Sequence, residues 1–297
     1  MMVQTKTIGS RIAQLINTLL LIIMALLCLL PVLHVLALSL SSSSAVTAGR
    51  VTFWPVDFTL NSYRFAMMDT QFLRSFGISI VRVLLGTSIN IVLIVITAYP
   101  LSKTRDKLHG RNLYMGYFFL TMLIGGGMIP TYLVVSKTGL IDTIWALIIP
   151  GALPVYNMII MMNFMRGIPK ELEESALLDG ASPVQILVRV LLPVLKPALA
   201  TITLFCILGH WNDWFSGLLY MNKTTNYPLQ TYLQTMLVDF ETLLRQNASS
   251  YVEIVSKMNA RTGRAAQIFL AALPMLVIYP FLQKYFTKGL TLGSVKG

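Results

Sequence analysis

The residues best equipped for chemistry stand next to one another in an otherwise apolar part of the chain. The segment His210-Trp211-Asn212-Asp213-Trp214 places an imidazole, an amide and a carboxylate beside two indole rings. Such polar groups make directional hydrogen bonds to hydroxyls, and aromatic rings stack on apolar C–H faces. This combination is typical of carbohydrate recognition, so we predict that the segment lines a path or a binding site for a hydroxyl-rich solute.

A structural role is the alternative for the same residues. His210 and Asp213 lie three positions apart, so on one helix they could pair and lock its packing. In a span over residues 198–221 they would lie near mid-bilayer, where a charge costs at least ~2.5 to 3.5 kcal/mol. We therefore expect them to face the protein interior. The helical stripe that carries them comprises His210, Asp213, Trp214, Ser216 and Gly217.

No pattern in the sequence is typical of catalysis. The three histidines are scattered, and the sequence lacks both a glycine-rich phosphate loop and metal-ligand spacing. Cys28 and Cys206 lie inside apolar runs, where cysteine behaves as a small hydrophobe. We predict that the chain is not an enzyme and that it holds no cofactor or metal of its own.

The overall composition identifies the environment of these residues. Of the 297 residues, 55% are hydrophobic and 12% are charged, against roughly 25% charged in soluble domains. The 12 acidic and 23 basic residues are too few to cover a globular surface of this size. The net charge of +11 comes from bases that lie between apolar runs, which argues against a nucleic-acid-binding face. An all-α polytopic membrane protein is therefore predicted.

Six apolar runs are long enough to cross a bilayer, which takes about 20 residues of helix. The first run is too long for the apolar region of a signal peptide, and we interpret it as a membrane anchor. All six are assigned to one membrane domain covering residues 1–297. The predicted spans cover residues 12–40, 76–101, 112–136, 141–165, 198–221 and 265–286.

The distribution of basic residues predicts how these spans are oriented. The loop 102–111 carries four Lys or Arg residues and one acid, and short loops rich in such bases stay in the cytoplasm. This choice places both termini and the segment 166–197 inside, and the long segments 41–75 and 222–264 outside. In the second span, we expect Arg82 to extend its charged end toward the membrane surface.

The third span contains a predicted break. Gly125, Gly126 and Gly127 are weak helix formers, and Pro130 frees a backbone carbonyl that must be satisfied inside protein or a cavity. A kinked or partly unwound helix follows. It could act in gating, with Gly126, Gly127 and Pro130 at the moving point, or it could be a packing notch for a neighbouring helix.

The cytoplasmic segment 166–197 contains two helix signals around a turn. Pro169 and three early glutamates suit a helix start, and Asp179-Gly180 suits a helix end. Pro183 then opens a second helix that runs to Pro193. We predict two short helices at a sharp turn, which would project from the membrane domain as a docking surface.

This segment resembles the "EAA" loop of the permease subunits of ATP-binding-cassette importers. That motif reads Glu-Ala-Ala, three residues, Gly, nine residues, then Ile-x-Leu-Pro. The chain has Glu174-Ser175-Ala176, three residues, Gly180, nine residues, then Val190-Leu191-Leu192-Pro193. The two departures, Ser175 and Val190, are small changes in size, so chance is a poor explanation of the match.

The similarity extends along essentially the whole chain to the smaller, six-span permease of the maltose-type carbohydrate importers. The supporting segments are Phe53-Trp54-Pro55, Ala98-Tyr99-Pro100-Leu101-Ser102 and residues 289–297 of the C-terminal tail 287–297. The segments 125–132 and 210–214 look like a subgroup that handles oligosaccharides from complex polysaccharides. The resemblance implies the type I importer permease fold, with six transmembrane helices and a cytoplasmic coupling loop.

The resemblance also implies a coupling mechanism. The loop would sit in a groove on a cytoplasmic ATPase subunit, where Glu174 pairs with a base and small residues permit close approach. The last residues would reach the ATPase dimer interface. The alternative for Glu174 is that it is only a solvated acid in the first turn of the helix. The alternative for the tail is that it is a disordered basic segment. The residues assigned to ATPase coupling are Glu174, Ser175, Ala176, Asp179, Gly180, Ala181 and Pro193, with Val295, Lys296 and Gly297 in the tail.

The implied partners are a second homologous permease, two ATPase subunits that bind ATP and Mg²⁺, and an extracytoplasmic solute-binding protein that delivers an oligosaccharide. The implied location is the bacterial cytoplasmic membrane. External segments 51–74 and 222–264 are the predicted contacts for the binding protein. The alternatives are a non-transporting membrane sensor or scaffold and a permease for a non-sugar solute. An ion-coupled carrier would need paired intramembrane carboxylates, and Asp213 is the one acid placed deep enough.

Overall fold

The structure, a computed structural model, describes residues 8–236 and 260–293. Within those ranges the chain forms helices and turns with no strand, which confirms the predicted all-α class. The single membrane domain stays a prediction. The described residues form two compact units, the first containing 8–70, 235–236 and 260–272, and the second containing 71–234 and 273–293.

The first unit begins with α1 (Ile8–Ser39), which includes Pro31. The most apolar stretch of this helix buries no residue against the rest of the chain. A helix of this kind needs lipid or another protein around it. Two short helices follow, α2 (Ser43–Thr47) and α3 (Asn61–Met68).

The chain folds back on the end of α1 instead of leaving it as a free linker. The Ser41 hydroxyl donates to the Ala37 carbonyl oxygen at 2.6 Å and accepts from the Val56 backbone N–H at 3.0 Å. Ala37 also joins Val46 and Val51 in a small buried cluster. The segment after α1 is therefore folded.

The second unit is built on α4 (Thr70–Ser102), a helix of 33 residues. After α4 come α5 (Arg111–Leu123), α6 (Met128–Lys137) and α7 (Val155–Arg166), with short 3₁₀ segments over Ile144–Gly151. The loop that carries the importer motif forms α8 (Lys170–Leu178) and α9 (Pro183–Val194). Next come α10 (Lys196–Asn212) and α11 (Phe215–Tyr220), and residues 229–236 are also helical. The last helix, α12 (Ala260–Gly293), has residues 260–272 in the first unit and 273–293 in the second.

Three of the predicted spans are single helices in the structure, two are bent pairs, and the fifth is interrupted at Asp213. α1, α4 and α12 are each long and apolar enough to cross a bilayer. The bent pairs are α5 with α6 at 110°, the 3₁₀ segments with α7 at 49°, and α9 with α10 at 85°. If each bent pair counts as one span, the described chain has up to six.

The prediction of one continuous helix over residues 198–221 is wrong. α10 ends at Asn212, and Asp213 adopts an extended backbone with ψ of 103°. The Asp213 carboxylate accepts from the Ser216 backbone N–H at 3.1 Å, in the manner of a helix N-cap. The chain resumes as a new helix, α11, at Phe215, so a helical stripe cannot continue across the break at Asp213.

A methionine-rich core joins α4, α7, α9 and α10. Met158, Met161 and Met162 on α7 are fully buried, together with Leu191 on α9 and Ile202 on α10. Methionine side chains are flexible and fill the irregular gaps that bent helices leave. This core fixes the importer-like loop to the helices that surround the polar centre of the second unit.

Candidate functional site

A buried arginine on α4 organises the polar centre of the second unit. Arg82 is 2% exposed, and its Nη2 lies 2.5 Å from Asp213 Oδ2 and 2.9 Å from Ser216 Oγ. Its Nη1 donates to the Asp213 carbonyl oxygen at 2.9 Å. The Ser216 hydroxyl also donates to the Asp213 carboxylate. Opposite charge and additional hydrogen bonds together make such a pair tolerable in a low-dielectric interior.

The expectation that Arg82 extends toward the membrane surface is wrong. Its guanidinium turns inward because Asp213 offers a charge partner and the Leu147 carbonyl, 3.3 Å from Nη2, adds an acceptor. The signal was present in the sequence. One arginine and one aspartate that are both isolated in apolar runs are best stabilised by each other.

His210 does not bind Asp213; its partner is Asn90 on α4. Its Nε2 lies 2.7 Å from Asn90 Oδ1 on α4, and the Asn90 amide donates to the carbonyls of Gly151 and Ala152 at 3.0 and 2.7 Å. The predicted His210–Asp213 pair is therefore replaced by two separate interactions. Both of them tie the end of α10 to α4.

A glycine on α4 makes room for the histidine ring. A Cβ atom placed on Gly86 would lie 2.5 Å from His210 Nε2, far inside van der Waals contact. Gly86 therefore permits the close approach of α4 and α10 on which the His210–Asn90 contact depends.

The two interactions line one cavity of about 490 Å³. Arg82, Asn90, His210 and Asp213 contribute polar groups, and Tyr220 lies in the same lining. Cavities that bind small molecules in proteins have this size and combine apolar walls with a few convergent polar groups. The arrangement can hold a polar solute by hydrogen bonds, and it presents groups of both charge signs.

The rest of the predicted solute-binding segment is distributed differently. Trp211 is buried and packs edge-on against Phe76, with 5.8 Å between ring centroids. Asn212 and Trp214 are exposed, and the Trp214 ring contacts Phe215 at 5.6 Å. The structure thus brings His210 and Asp213 to the cavity and places Asn212 and Trp214 on an open surface of the chain.

The glycine-rich segment breaks the third span, as predicted. α5 ends at Leu123, α6 begins at Met128, and Gly126 and Gly127 lie exposed between them. Gly127 has φ of +85°, a conformation that residues with a Cβ rarely adopt. Pro130 lies in the first turn of α6, where its missing N–H costs little. The glycines therefore make the bend, and a role in gating stays a prediction.

The importer-like loop has the predicted form of two helices at a turn. Gly180 follows α8 with φ of +79°, and Ser182 begins α9 with a reciprocal capping box. In that box the Ser182 hydroxyl accepts from the Gln185 backbone N–H at 3.3 Å, and Gln185 Oε1 accepts from the Ser182 N–H at 2.8 Å. Local backbone chemistry alone is sufficient to set this turn.

Most of the predicted coupling residues are exposed, and the two alanines among them anchor the loop. Ala176 and Ala181 are half-buried and pack against the methionine-rich core. Leu178 and Val184 present exposed apolar side chains beside the polar members. Such a mixed surface is suited to contact with a second protein. The members that are exposed are Glu174, Ser175, Asp179, Gly180 and Pro193.

A salt bridge that the sequence analysis missed fastens α8 to the end of α4. Lys103 Nζ lies 2.5 Å from Glu173 Oε1, and the two side chains are only 15% and 19% exposed. The same ammonium lies 4.1 Å from the centroid of the Tyr99 ring. In the sequence, Glu173 is one of three acids that favour a helix start, and Lys103 is one of the bases that mark a cytoplasmic loop. Neither pattern reveals a contact between residues 70 positions apart.

A second missed centre is Asp142. The fourth span, predicted from residue 141, begins at Ile144 in the structure, and Asp142 organises the turn before it. Asp142 has φ of +62°, and its Oδ1 accepts from Asn226 Nδ2 at 3.0 Å and from the Asn222 and Lys223 backbone N–H groups at 3.3 Å. The hydrogen bond from Asn226 is the main reason that the pKa of the Asp142 carboxyl lies below its ordinary value. The carboxylate therefore joins two connecting segments.

The predicted C-terminal tail is tested only in part. α12 continues to Gly293, so residues 287–293 extend the last helix beyond the predicted span. Val295, Lys296 and Gly297 lie outside the described residues.

The apolar spans, the polar cavity among broken helices and the two-helix loop are the features expected of a membrane permease. Residues 73–292 match the family of binding-protein-dependent transport system inner membrane components. The chain belongs to that family, which confirms the family predicted from the sequence. It is thus an integral membrane protein and the translocation component of a transport system.

Similar proteins cover nearly the full chain. Protein LplC of Bacillus subtilis (strain 168) is 41% identical over 91% of this chain and 90% of its own. The polygalacturonan/rhamnogalacturonan transport system permease protein YtcP of the same organism is 38% identical over 93% and 96%. A chain from the crystal structure of a bacterial ABC transporter involved in the import of the acidic polysaccharide alginate superposes with a TM-score of 0.85. It is 34% identical, over 94% of this chain and 98% of that chain.

Proposed function

We propose that this chain is one of two permease subunits of an ATP-driven importer for oligosaccharides derived from complex polysaccharides. The observation that carries the proposal is the near full-length similarity to a polygalacturonan/rhamnogalacturonan permease and to a chain of an alginate importer. The cavity lined by Arg82, His210 and Asp213 supports it, because a saccharide offers hydroxyls that need both donors and acceptors.

In this proposal, His210 and Asp213 face the solute path inside the subunit. Asn212 and Trp214 lie on the adjoining exposed surface, which a second homologous permease covers to complete the path. A ring such as Trp214 is suited to stack on a sugar that passes between the two subunits. The bend at Gly126 and Gly127 serves as the moving point of the gate.

The loop formed by α8 and α9 is the proposed contact with a cytoplasmic ATPase subunit. Glu174 and Ser175 are exposed on α8, where an ATPase groove can reach them. Val295, Lys296 and Gly297 extend toward the ATPase dimer, and ATP and Mg²⁺ bind there rather than on this chain. Both termini then lie in the cytoplasm of a bacterium, and segments 51–74 and 222–264 meet the solute-binding protein.

Uptake by the reconstituted importer tests this proposal. The importer complex with its binding protein is placed in proteoliposomes that enclose ATP, and uptake of labelled oligogalacturonides or alginate oligosaccharides is measured. Glu174→Lys should abolish most ATP-dependent uptake because it reverses the charge on the face proposed to meet the ATPase. Glu171→Lys is the matched control, since it makes the same change one turn earlier on α8, and it should retain most of the uptake.

Two results would overturn the proposal. Full uptake by correctly inserted Glu174→Lys would remove the coupling role. The absence of ATP-dependent uptake of any oligosaccharide by the wild-type complex, while ATP hydrolysis proceeds, would remove the assigned substrate class.

A further inference from the structure

A second cavity lies between the α4–α5 connection and the start of α8. Its volume is about 420 Å³, within the range of about 300 to 1,000 Å³ for small-molecule sites. Five cationic and two carboxylate side chains line it, which leaves a surplus of three positive charges. The charged members are Lys103, Lys107, Arg111, Arg166, Lys170, Glu173 and Glu174. We call this cavity the basic pocket.

Two arginines of the basic pocket converge on one backbone oxygen. Arg111 Nε and Arg166 Nη2 donate to the Leu101 carbonyl at 2.9 and 3.1 Å. A guanidinium carries five N–H donors, whereas a carbonyl oxygen accepts about two hydrogen bonds. Arg166 Nη2 also contacts the Met162 sulfur at 3.1 Å. The remaining donors of these two side chains are available to a ligand with several acceptor oxygens, and the Thr104 hydroxyl lies in the same lining.

The acidic side chains do not cancel this charge. Glu173 is bound to Lys103 at 2.5 Å, so these two charges offset each other. Glu174 is then the one remaining acid among the lining residues, and four cationic side chains remain beside it. A multivalent anion would neutralise a surplus that the chain itself leaves uncompensated.

The basic pocket lies at the ends of apolar helices. It is lined from the end of α4 at Ser102, the start of α5 at Arg111 and the end of α7 at Arg166. Side chains at the ends of membrane spans lie at the depth of lipid headgroups, and basic pockets between spans on the cytoplasmic side bind anionic headgroups.

We propose that the basic pocket binds a phosphate group, presented by the headgroup of an anionic phospholipid such as phosphatidylglycerol. A phosphate offers acceptor oxygens in the geometry that guanidinium forks match. Because Lys170 belongs to α8, the bound phosphate also bridges α8 to the ends of α4 and α5. This site is separate from the solute cavity, and it makes the seating of the loop dependent on membrane lipid.

Lipid binding to the detergent-solubilised importer complex tests the proposal. Native mass spectrometry compares phosphatidylglycerol with phosphatidylcholine of the same acyl chains, and equilibrium dialysis measures labelled inorganic phosphate. The test variant is Lys107→Gln with Lys170→Gln, since neither residue takes part in the Lys103–Glu173 pair. Arg105→Gln is the matched control, because it removes one charge from the same loop but does not line the pocket.

The expected result is one high-affinity phosphatidylglycerol site that the double variant weakens roughly tenfold to thirtyfold, while Arg105→Gln leaves it unchanged. Binding of inorganic phosphate that is lost in the same variant supports the pocket with a soluble anion as the source. Equal binding by wild type and double variant, with unchanged thermal unfolding, would overturn the proposal, as would equal affinity for phosphatidylcholine. None of these readouts depends on which solute the importer carries.

Discussion

Arg82 and Asp213 are separated by 131 positions in the sequence, and their side chains meet at 2.5 Å. The contact joins α4 to the break between α10 and α11. It holds the guanidinium and the carboxylate in place at the wall of the 490 Å³ cavity. One interaction thus gives a buried charge its partner and fixes the polar lining of the proposed solute path.

Removing either partner of this pair should destabilise the protein. Arg82→Met leaves the Asp213 carboxylate without its charge partner, and we expect a loss of about 3 kcal/mol. This is the lower end of the range for buried pairs because the Asp213 side chain is 34% exposed. The midpoint of thermal unfolding of the purified complex measures the effect, and Arg74→Met, an exposed arginine on the same helix, is the control.

A double-mutant cycle shows whether the two residues act as a pair. Arg82→Met combined with Asp213→Leu should be less destabilising than the sum of the single changes, since no unpaired charge remains. Strictly additive losses would contradict the pairing.

Adding a methyl group at Gly86 should disrupt the His210–Asn90 contact. The new Cβ would lie 2.5 Å from His210 Nε2, so the ring must move and the hydrogen bond must break. We expect Gly86→Ala to cost about 1 to 3 kcal/mol, as for other overpacked interiors. Gly77→Ala on the same helix meets no atom within 4 Å and should be neutral or slightly stabilising. Thermal unfolding that is the same for both variants would show that the close approach is absent.

The Lys103–Glu173 salt bridge should control how firmly α8 is held. Glu173→Lys places two ammonium groups together, so α8 should detach from the end of α4. Hydrogen–deuterium exchange in residues 170–178 should then increase, and solute uptake per ATP hydrolysed should fall. Exchanging the charges, with Lys103→Glu and Glu173→Lys together, should restore most of both properties. A charge exchange that behaves like the single variant would show that the pair does not fasten the helix.

Stability should depend on pH through Asp142. The folded state lowers the pKa of this carboxyl, mainly through the Asn226 hydrogen bond. The ionised Asp142 carboxylate therefore contributes fully to folding stability above a pH of about 3.9, the ordinary pKa of aspartate. This stabilisation is lost as pH falls through the lower pKa of the folded state. Asp142→Asn should have a lower unfolding temperature than wild type at pH 7. This difference should disappear at pH values below the folded-state pKa of Asp142.

Asn226→Ala provides the companion measurement for Asp142. Because it removes the main cause of the lowered pKa, the pH dependence assigned to Asp142 should shrink in this background. A difference between wild type and Asp142→Asn that stays constant from pH 7 to pH 3 would contradict the assignment.

The importer-like loop shows how far local sequence can predict structure. The sequence predicted the stop after α8, the turn at Gly180 and the start of α9, and the structure confirms all three. These features depend on dihedral preferences and on caps that reach only three or four residues along the chain. The glycine break before α6 was predictable for the same reason.

The polar centre shows where such prediction stops. The sequence placed His210 and Asp213 on one continuous helix and turned Arg82 toward the membrane surface. The Asp213 carboxylate instead accepts a backbone hydrogen bond from Ser216 in the first turn of α11, and its charge is paired with Arg82 on another helix. An i,i+3 pair and a capping carboxylate look alike in sequence. Only the position of α4 decides which arrangement has the lower free energy.

By itself, the sequence determined the membrane class, the apolar segments, the sites where helices break and the motif that identifies the permease family. The first three follow from composition or from contacts within one or two helical turns, and the motif identifies the family by its resemblance to other permeases. Tertiary structure decided the partners of Arg82, His210, Lys103 and Asp142. Charged and polar groups in a low-dielectric interior must find partners, and the partners within reach depend on which helices pack side by side.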